Sequence, residues 1–497
     1  MRLYIFIFLV STISIFSQPK LDSLIAAGNE QSFQFNFTEA NQTFKVVITE
    51  YPNSPLGYYF LSRNSLWFYL ANKDSLSKYN YLDYFEIAKS KGEEEYDNDS
   101  ENAVINYNLA NIYLLESIFN STEQNTMDAF WATKSAVSYY EDAIDYNENY
   151  FDPYLGLGTI KYALGFVPGF LGWAISVAGL DGEKSEGLND ILKAYEKSQF
   201  SKVEASYHLG KIYTEYNAEY EIAEKHLSVL VEKYPQNELF LYQYAILQID
   251  KRNLGEARRY LNIILMNDLV PKFHQTYALS MFLKGEISFK ENNFEDAIKD
   301  YENFIQLSTS IDYTGIANFK IGLSYKMLNN DLSAKKHFIL ARNGNQNIAE
   351  DSYATEMSEL YFNKEFSDSE KEIILAHNYL ESGYYDLAIE RVSGISIENS
   401  NIELRLKNDL IKIESYQFLN NFIKSGEIFN NFNDINNFED LPNYSKLLYF
   451  KSLQAFNDRK LSESEEFLEL AYENLNKHDN KLNRLLVNLT SKLERTR

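Results

Sequence analysis

Residues Tyr277–Leu307 read YALSMFLKGEISFKENNFEDAIKDYENFIQL, and this stretch decides the fold. Gly285 stands where two helices approach closely, Ala297 lies twelve residues on, and Tyr301 and Phe304 follow at helical spacing. The next block, Gly315–Ala341, GIANFKIGLSYKMLNNDLSAKKHFILA, repeats the pattern with Gly322, Tyr325, Ala334, Phe338 and Ala341. An earlier one, Glu204–Pro235, EASYHLGKIYTEYNAEYEIAEKHLSVLVEKYP, supplies Leu209, Gly210, Tyr213, Ala223, Leu227 and Pro235. Small residues fall where paired helices touch, aromatics fill the gap to the next pair, and proline ends the second helix.

In these residues the sequence resembles the tetratricopeptide repeat. The resemblance implies an all-α, right-handed superhelical solenoid of antiparallel helix pairs, in units of about 34 residues. Weaker copies follow the same register. Gly28, Ala40, Phe44, Val47 and Pro52 form one; Ala245, Ala257, Leu261 and Ile264 another; Tyr379 with Ala388 and Tyr416 with Phe429 two more. Ala455, Leu468 and Ala471 mark the last pair, and the match is loosest between Leu56 and Asn147. At the end, Leu482, Leu485, Leu486, Leu489 and Leu493 line one stripe opposite Lys481, Arg484, Lys492 and Arg495. This reads as a capping helix, since a terminal repeat needs a polar outer face. The chain divides accordingly: a signal peptide (1–17), N-terminal repeat-like helices (18–150), a helical pair with an apolar insertion (151–200), the core array (201–345), and C-terminal repeats with the cap (346–497). At the contact positions Gly285 and Gly322, leucine is expected to overpack the helix interface. Alanine at Gly322 is expected to be mild, the backbone there being ordinary helix.

Composition narrows the function. The 497 residues exceed what one core needs, and 45% are hydrophobic, so several cores or one array are expected. The net charge of -24 repels phosphate backbones and disfavours nucleic acid as a partner. Arg2, the apolar run Leu3 to Phe16 and the Ser17–Gln18 junction read as a cleaved secretory signal. The sequence has no cysteine, which excludes disulfides and a lipoprotein anchor. A secreted or periplasmic protein without a lipid anchor is therefore expected.

One stretch stands apart. Tyr162–Leu180, YALGFVPGFLGWAISVAGL, is nineteen residues without a charge. Gly165, Pro168, Gly169 and Gly172 would break a spanning helix, and the flanking patterns continue one helical pair on the same side. The expectation is a broken helix and loop packed over that pair. Its rival is an apolar patch of Phe166, Phe170 and Trp173 that touches lipid or a partner. The segment FVPGFLGWAISVAGLDGEKSEGL is similar to that of the eukaryotic tetratricopeptide domain-39 and inclusion-body clearance proteins, at Pro168, Gly179, Asp181, Gly182, Gly187 and Leu188. Glu183 stands where that family usually has a basic residue. The similarity implies shared architecture.

No motif names a reaction. The six histidines, His208, His226, His274, His337, His377 and His478, form no i, i+4 pair, so no metal site is expected. Gly182-Glu183-Lys184-Ser185 lacks the adjacent Gly-Lys of a phosphate loop, and Val177 stands where a glycine is needed. Asp97, Asp99 and Glu101 imitate a calcium loop, yet its sixth and twelfth positions are Asn102 and Asn108. No catalytic constellation and no cofactor are expected. Most of the 39 tyrosines fall on core positions; Tyr216, Tyr220 and Tyr242 lie off the pattern and are the candidates to line a concave groove. The reading is a non-catalytic, exported scaffold or adaptor that binds protein or peptide partners in the cell envelope. Its alternative is a carbohydrate- or nutrient-binding component built on similar helices.

Overall fold

In several of the helix pairs a glycine on one helix faces an aromatic ring on the other. The computed structural model describes residues 18–166, 182–266, 273–397, 401–432 and 438–496, which form 24 α-helices and, among them, no strand. Contacts divide the chain into two units: residues 1–210 with 225–241, and residues 211–224 with 242–497. Residues 1–17, and Phe170 and Trp173 of the apolar stretch, lie outside the described residues. Among the described residues no helix is long and apolar enough to cross a membrane.

The first unit holds α1 (Gln18–Phe33) and α2 (Phe37–Glu50), α3 (Leu56–Asn72) and α4 (Ser75–Asn98), α5 (Ala103–Thr122) and α6 (Thr126–Tyr146), then α7 (Pro153–Leu164) and α8 (Lys184–Lys197). Gly28 admits the Phe44 ring so closely that a Cβ would lie 2.3 Å from it. Phe44 in turn stacks on Phe60 of the next pair at 4.9 Å, which links repeat to repeat. Helices α7 and α8 pair directly although the apolar stretch separates them in sequence. Their backbones meet at Gly158 and Gly187, where a Cβ on Gly187 would stand 2.4 Å from the Tyr162 amide nitrogen.

Residues of α9 (Lys202–Glu215), α10 (Tyr220–Lys233) and α11 (Glu238–Asp250) are shared between the units. The second unit continues with α12 (Leu254–Leu265), α13 (His274–Lys290), α14 (Phe294–Leu307), α15 (Thr314–Met327), α16 (Asp331–Ala341) and α17 (Ala349–Phe362). It ends with α18 (Asp368–Glu381), α19 (Tyr385–Ser393), α20 (Ile402–Phe418), α21 (Phe422–Phe429), α22 (Tyr444–Asn457), α23 (Leu461–Glu473) and α24 (Asn480–Thr496). Gly285 faces Tyr301 and Gly322 faces Phe338, as the repeat register requires, and both rings are fully buried. The mildness expected of alanine at Gly322 does not survive this geometry. A Cβ there would lie 2.6 Å from the Phe338 ring, which is enclosed and has nowhere to move.

The turns inside the pairs share one backbone device. Phe35, Gln124, Arg252, Asn292, Asn329, Asn420 and Arg459 each have φ near +60° and close the first helix of a pair in left-handed geometry. The residue that follows sends its amide to the carbonyl five residues back: Asn36 to Gln31, Asn125 to Asn120, Asn253 to Gln248, Asn330 to Tyr325 and Asn421 to Tyr416. A non-glycine residue held there costs about 1–2 kcal/mol, so the contacts on either side must enforce the turn. Asparagine after the turn then precedes the second helix, and the side chains of Asn330 and Asn421 accept from Ser333 and Lys424 as N-caps.

The last helix is terminal, but its basic stripe is not a solvated outer face. Leu482, Leu486, Leu489 and Leu493 are buried with the core of α22 and α23. On the other side, Arg484 Nη1 lies 2.8 Å from Asp250 Oδ2, and Arg495 grips Glu219 through both terminal nitrogens at 2.9 and 3.2 Å. Lys481 reaches Glu381 Oε1 at 2.7 Å, and Asn488 donates to the Ala218 carbonyl at 3.2 Å. Within the second unit, α24 therefore ties the final helices to α11, α18 and the two residues just before α10. Lys492 and Arg495 of the stripe are exposed, and Arg495 is nevertheless paired with Glu219.

Candidate binding site

The first unit encloses a cavity of about 260 Å³ lined by the inward sides of five helices, each the first of its pair. The spacing is helical. Ile25, Asn29 and Phe33 come from α1; Tyr59, Arg63 and Trp67 from α3; Tyr107, Asn111 and Leu114 from α5; Leu155 and Thr159 from α7; Glu204 and His208 from α9. Residues three and four apart share a helix face, so each helix presents one stripe to the same space. Phe33, Phe60, Tyr140, Tyr150 and Phe200 complete an aromatic wall.

Contacts within the same unit tie α1, which carries one wall of the cavity, to residues 233–240. Tyr234 donates to Glu30 Oε2 at 2.9 Å, Lys233 stands 3.1 Å from the same oxygen, and Asn237 Nδ2 donates to the Phe33 carbonyl at 2.8 Å. The Phe33 ring packs against Tyr234 and Phe240 at 5.8 and 6.4 Å between centroids.

Two charged groups face each other inside. Arg63 is 5% exposed; its Nη2 donates to Asn29 Oδ1 at 2.8 Å and its Nη1 lies 3.8 Å from Glu204 Oε1. The guanidinium sits 4.7 Å from the Phe60 ring centre and 4.5 Å from that of Trp67. Its Nε has no hydrogen-bond partner among the described residues. The Glu204 side chain keeps 34% of its surface accessible, and that surface lines the cavity. Burial pushes the Glu204 carboxyl above its ordinary value, Arg63 opposing and Asp152 adding to the rise. Burial also raises the hydroxyls of Tyr59, Tyr107, Tyr140 and Tyr150, so all four stay protonated.

Glu204 is placed by Asp152. That carboxylate is 2% exposed and accepts from the amides of Gln199, Phe200 and Ser201 at 3.2, 2.8 and 2.8 Å and from the Ser201 hydroxyl at 2.9 Å. It thereby caps the start of α9 from the preceding pair, where the helix dipole favours a negative charge. Gly156 lets the Tyr140 ring through, and Tyr140 donates to Asn111 Oδ1 at 2.7 Å.

The tyrosines singled out from sequence lie elsewhere. Tyr216, Tyr220 and Tyr242 belong to the second unit. Tyr216 is 37% exposed; Tyr220 opens α10 beside Asp250 and Arg484, and burial raises its hydroxyl; Tyr242 is half-buried on α11. Of the apolar patch, Phe166 is exposed, with Lys184 Nζ 3.7 Å above its ring. Sequence reasoning did not reach Arg63, Trp67 or Glu204, two of which fall where the repeat register was loosest. The signal that finds Arg63 and Trp67 is the stripe of three residues spaced by four, Tyr59, Arg63 and Trp67, on a first helix. Among the described residues no group of three or more His, Cys, Asp or Glu is placed to hold a metal ion.

Residues 94–314 match the family model described as Iml2/Tetratricopeptide repeat protein 39, and residues 27–54 match a tetratricopeptide repeat model. The longer match is wider than the segment around Pro168 and Gly187 that carries the resemblance in sequence. No curated protein matches the chain. Among solved structures, the P58(IPK) TPR domain is 16% identical, with 83% of this chain and 94% of that chain covered and a TM-score of 0.23. Yeast Tom70 is 14% identical, covering 84% and 87%, with a TM-score of 0.34. The Cut9–Hcn1 hetero-tetramer of the APC/C is 12% identical, covering 98% of each chain, with a TM-score of 0.23.

Proposed function

We propose that this tetratricopeptide-repeat chain is a non-catalytic adaptor that holds a segment of a partner protein in the cavity of its first unit. The observation that carries the reading is the convergence of five first-helix stripes on one aromatic-walled space. The inward face of tandem helix pairs keeps its shape while its side chains vary, which suits it to recognition. In the second unit, by contrast, the acidic residues Asp250, Glu219 and Glu381 are already engaged by α24. The acidic balance of the chain supports protein partners and argues against nucleic acid.

Export to the cell envelope is part of the proposal and rests on the sequence of residues 1–17 alone. The alternative of a carbohydrate ligand is supported by Asn108, Asn111 and Thr159 standing among the aromatic rings. A photo-crosslinking residue separates the readings. Placed at Asn108 in the full chain inside cells, it is expected to capture a protein. The same residue at exposed Lys45 on α2 is expected to capture none. Equal capture from both positions, or capture from Lys45 alone, overturns the adaptor reading at this cavity.

A further inference from the structure

We propose that the first unit's cavity recognises a cationic side chain, an ammonium or guanidinium flanked by apolar residues, presented by the partner protein. The inference deepens the adaptor reading and rests on it.

Charge comes first. Among the described residues, the ionisable acids lining the cavity are Asp22, Asp152 and Glu204, and the one permanent cation there is Arg63. Asp152 is committed to the amides that start α9. Asp22 is exposed and stands at the rim. Glu204 makes no hydrogen bond among the described residues, and its nearest cation is 3.8 Å away, beyond hydrogen-bond reach. A partly buried carboxylate whose charge is incompletely paired is costly. An incoming cation would restore the missing interaction, whereas an incoming anion would meet net negative charge. The upward push on the Glu204 carboxyl expresses the same deficit.

Arg63 does not convert the cavity into an anion receptor. Its Nη2 is taken by Asn29, its Nη1 faces Glu204, and the rings of Phe60 and Trp67 lie against the guanidinium. What remains is Nε, a single buried donor without a partner among the described residues. One such donor suits a neutral acceptor such as a peptide carbonyl. A bidentate carboxylate or phosphate needs two.

The size and walls of the cavity suit the same occupant. A volume of about 260 Å³ is below the roughly 300–1,000 Å³ of sites that enclose a whole drug-sized ligand. It fits a side chain and its immediate flanks. Tyr59 and Tyr107 offer rings that attract a cation, while Leu114, Val104 and Ile118 offer apolar contact to the residues beside it.

The test uses the full chain with Trp131→Phe and Trp173→Phe, which leaves Trp67 as the sole tryptophan. Three acetylated and amidated tripeptides are titrated: leucyl-lysyl-leucine, leucyl-norleucyl-leucine and leucyl-glutamyl-leucine. The lysyl peptide is expected to shift Trp67 emission at a concentration at least about tenfold lower than the other two. In Glu204→Gln, whose folding is checked by circular dichroism, that preference is expected to vanish. Equal or tighter binding of the norleucyl or glutamyl peptide, no binding of any, or a preference that persists in Glu204→Gln overturns the inference. The crosslinking outcome at Asn108 is independent of all these results. Partner capture there with no lysyl preference leaves the adaptor reading standing and removes the cation.

Discussion

Arg484 on the last helix and Asp250 on α11 form an ion pair at 2.8 Å across 234 residues of chain, with side chains 18% and 15% exposed. Arg484→Ala leaves Asp250 without its cation in a poorly hydrated place. The expected cost is about 2 kcal/mol, between the limits for exposed and fully buried pairs. Lys492→Ala, on the exposed side of the same helix, is expected to stay within about 0.5 kcal/mol of the parent. Urea unfolding of the full chain measures both. Equal midpoints for the two variants would show that α24 is only a cap.

Gly322→Ala is expected to destabilise by about 1–3 kcal/mol, because its Cβ would enter the space of the Phe338 ring. The double variant Gly322→Ala, Phe338→Leu is expected to recover part of the loss, since the smaller side chain vacates the contact. A thermal melt in which the single variant is more stable than the parent would mean that the helices separate at no cost, contrary to the close packing seen here.

These two cases mark what a reader of the sequence can and cannot see. Gly285 opposite Tyr301 was legible because both lie within one helix pair, at a fixed separation set by helix geometry. The left-handed turns were in plain view as Asn36, Asn125, Asn253, Asn330 and Asn421, yet the abundance of asparagine is easily ascribed to base composition rather than to capping. The Arg63–Glu204 pair was not legible: its partners sit on α3 and α9, and only the curvature of several successive pairs brings them together. The basic stripe of α24 was correctly placed on one face. What that face meets depends on Asp250 and Glu219, far upstream, and periodicity carries no information about that.

Glu414 and Glu381 share the buried Arg252, whose Nη2 lies 3.0 Å from Glu381 Oε1 and also contacts Glu414. Burial opposes ionisation of both acids, but Lys446 and Arg252 hold Glu414 down to about 2, and Lys481, Arg252 and Lys290 hold Glu381 well below its ordinary value. With the folded values depressed, the unfolded chain takes up protons first as pH falls. The stabilisation is therefore complete above about pH 5 and is lost between about pH 4.3 and 2. For Glu414 it is worth about 3 kcal/mol. Urea midpoints of the parent are expected to fall steeply through that window. Glu414→Gln is expected to start lower at neutral pH and fall less steeply, by about one proton. Parallel curves for the two proteins would remove Glu414 from the acid transition.

Asp152 is the residue through which packing sets the geometry of the cavity. Its carboxylate engages three successive amides and a hydroxyl at the start of α9, one turn before Glu204. Asp152→Ala orphans those donors, the Ser201 amide among them being buried, at an expected cost of about 2 kcal/mol. Asp152→Asn keeps one acceptor oxygen and is expected to cost about half as much. Hydrogen exchange read by mass spectrometry gives the local answer. In Asp152→Ala the amides of Gln199, Phe200 and Ser201 are expected to exchange at least about tenfold faster, while those of α15 and α16 in the second unit keep their protection. The lysyl tripeptide should then lose its advantage over the norleucyl one, because Glu204 is no longer held in register with Arg63. Unchanged protection at residues 199–201 would show that α9 starts without this cap, and the carboxylate of Glu204 would need another explanation for its position.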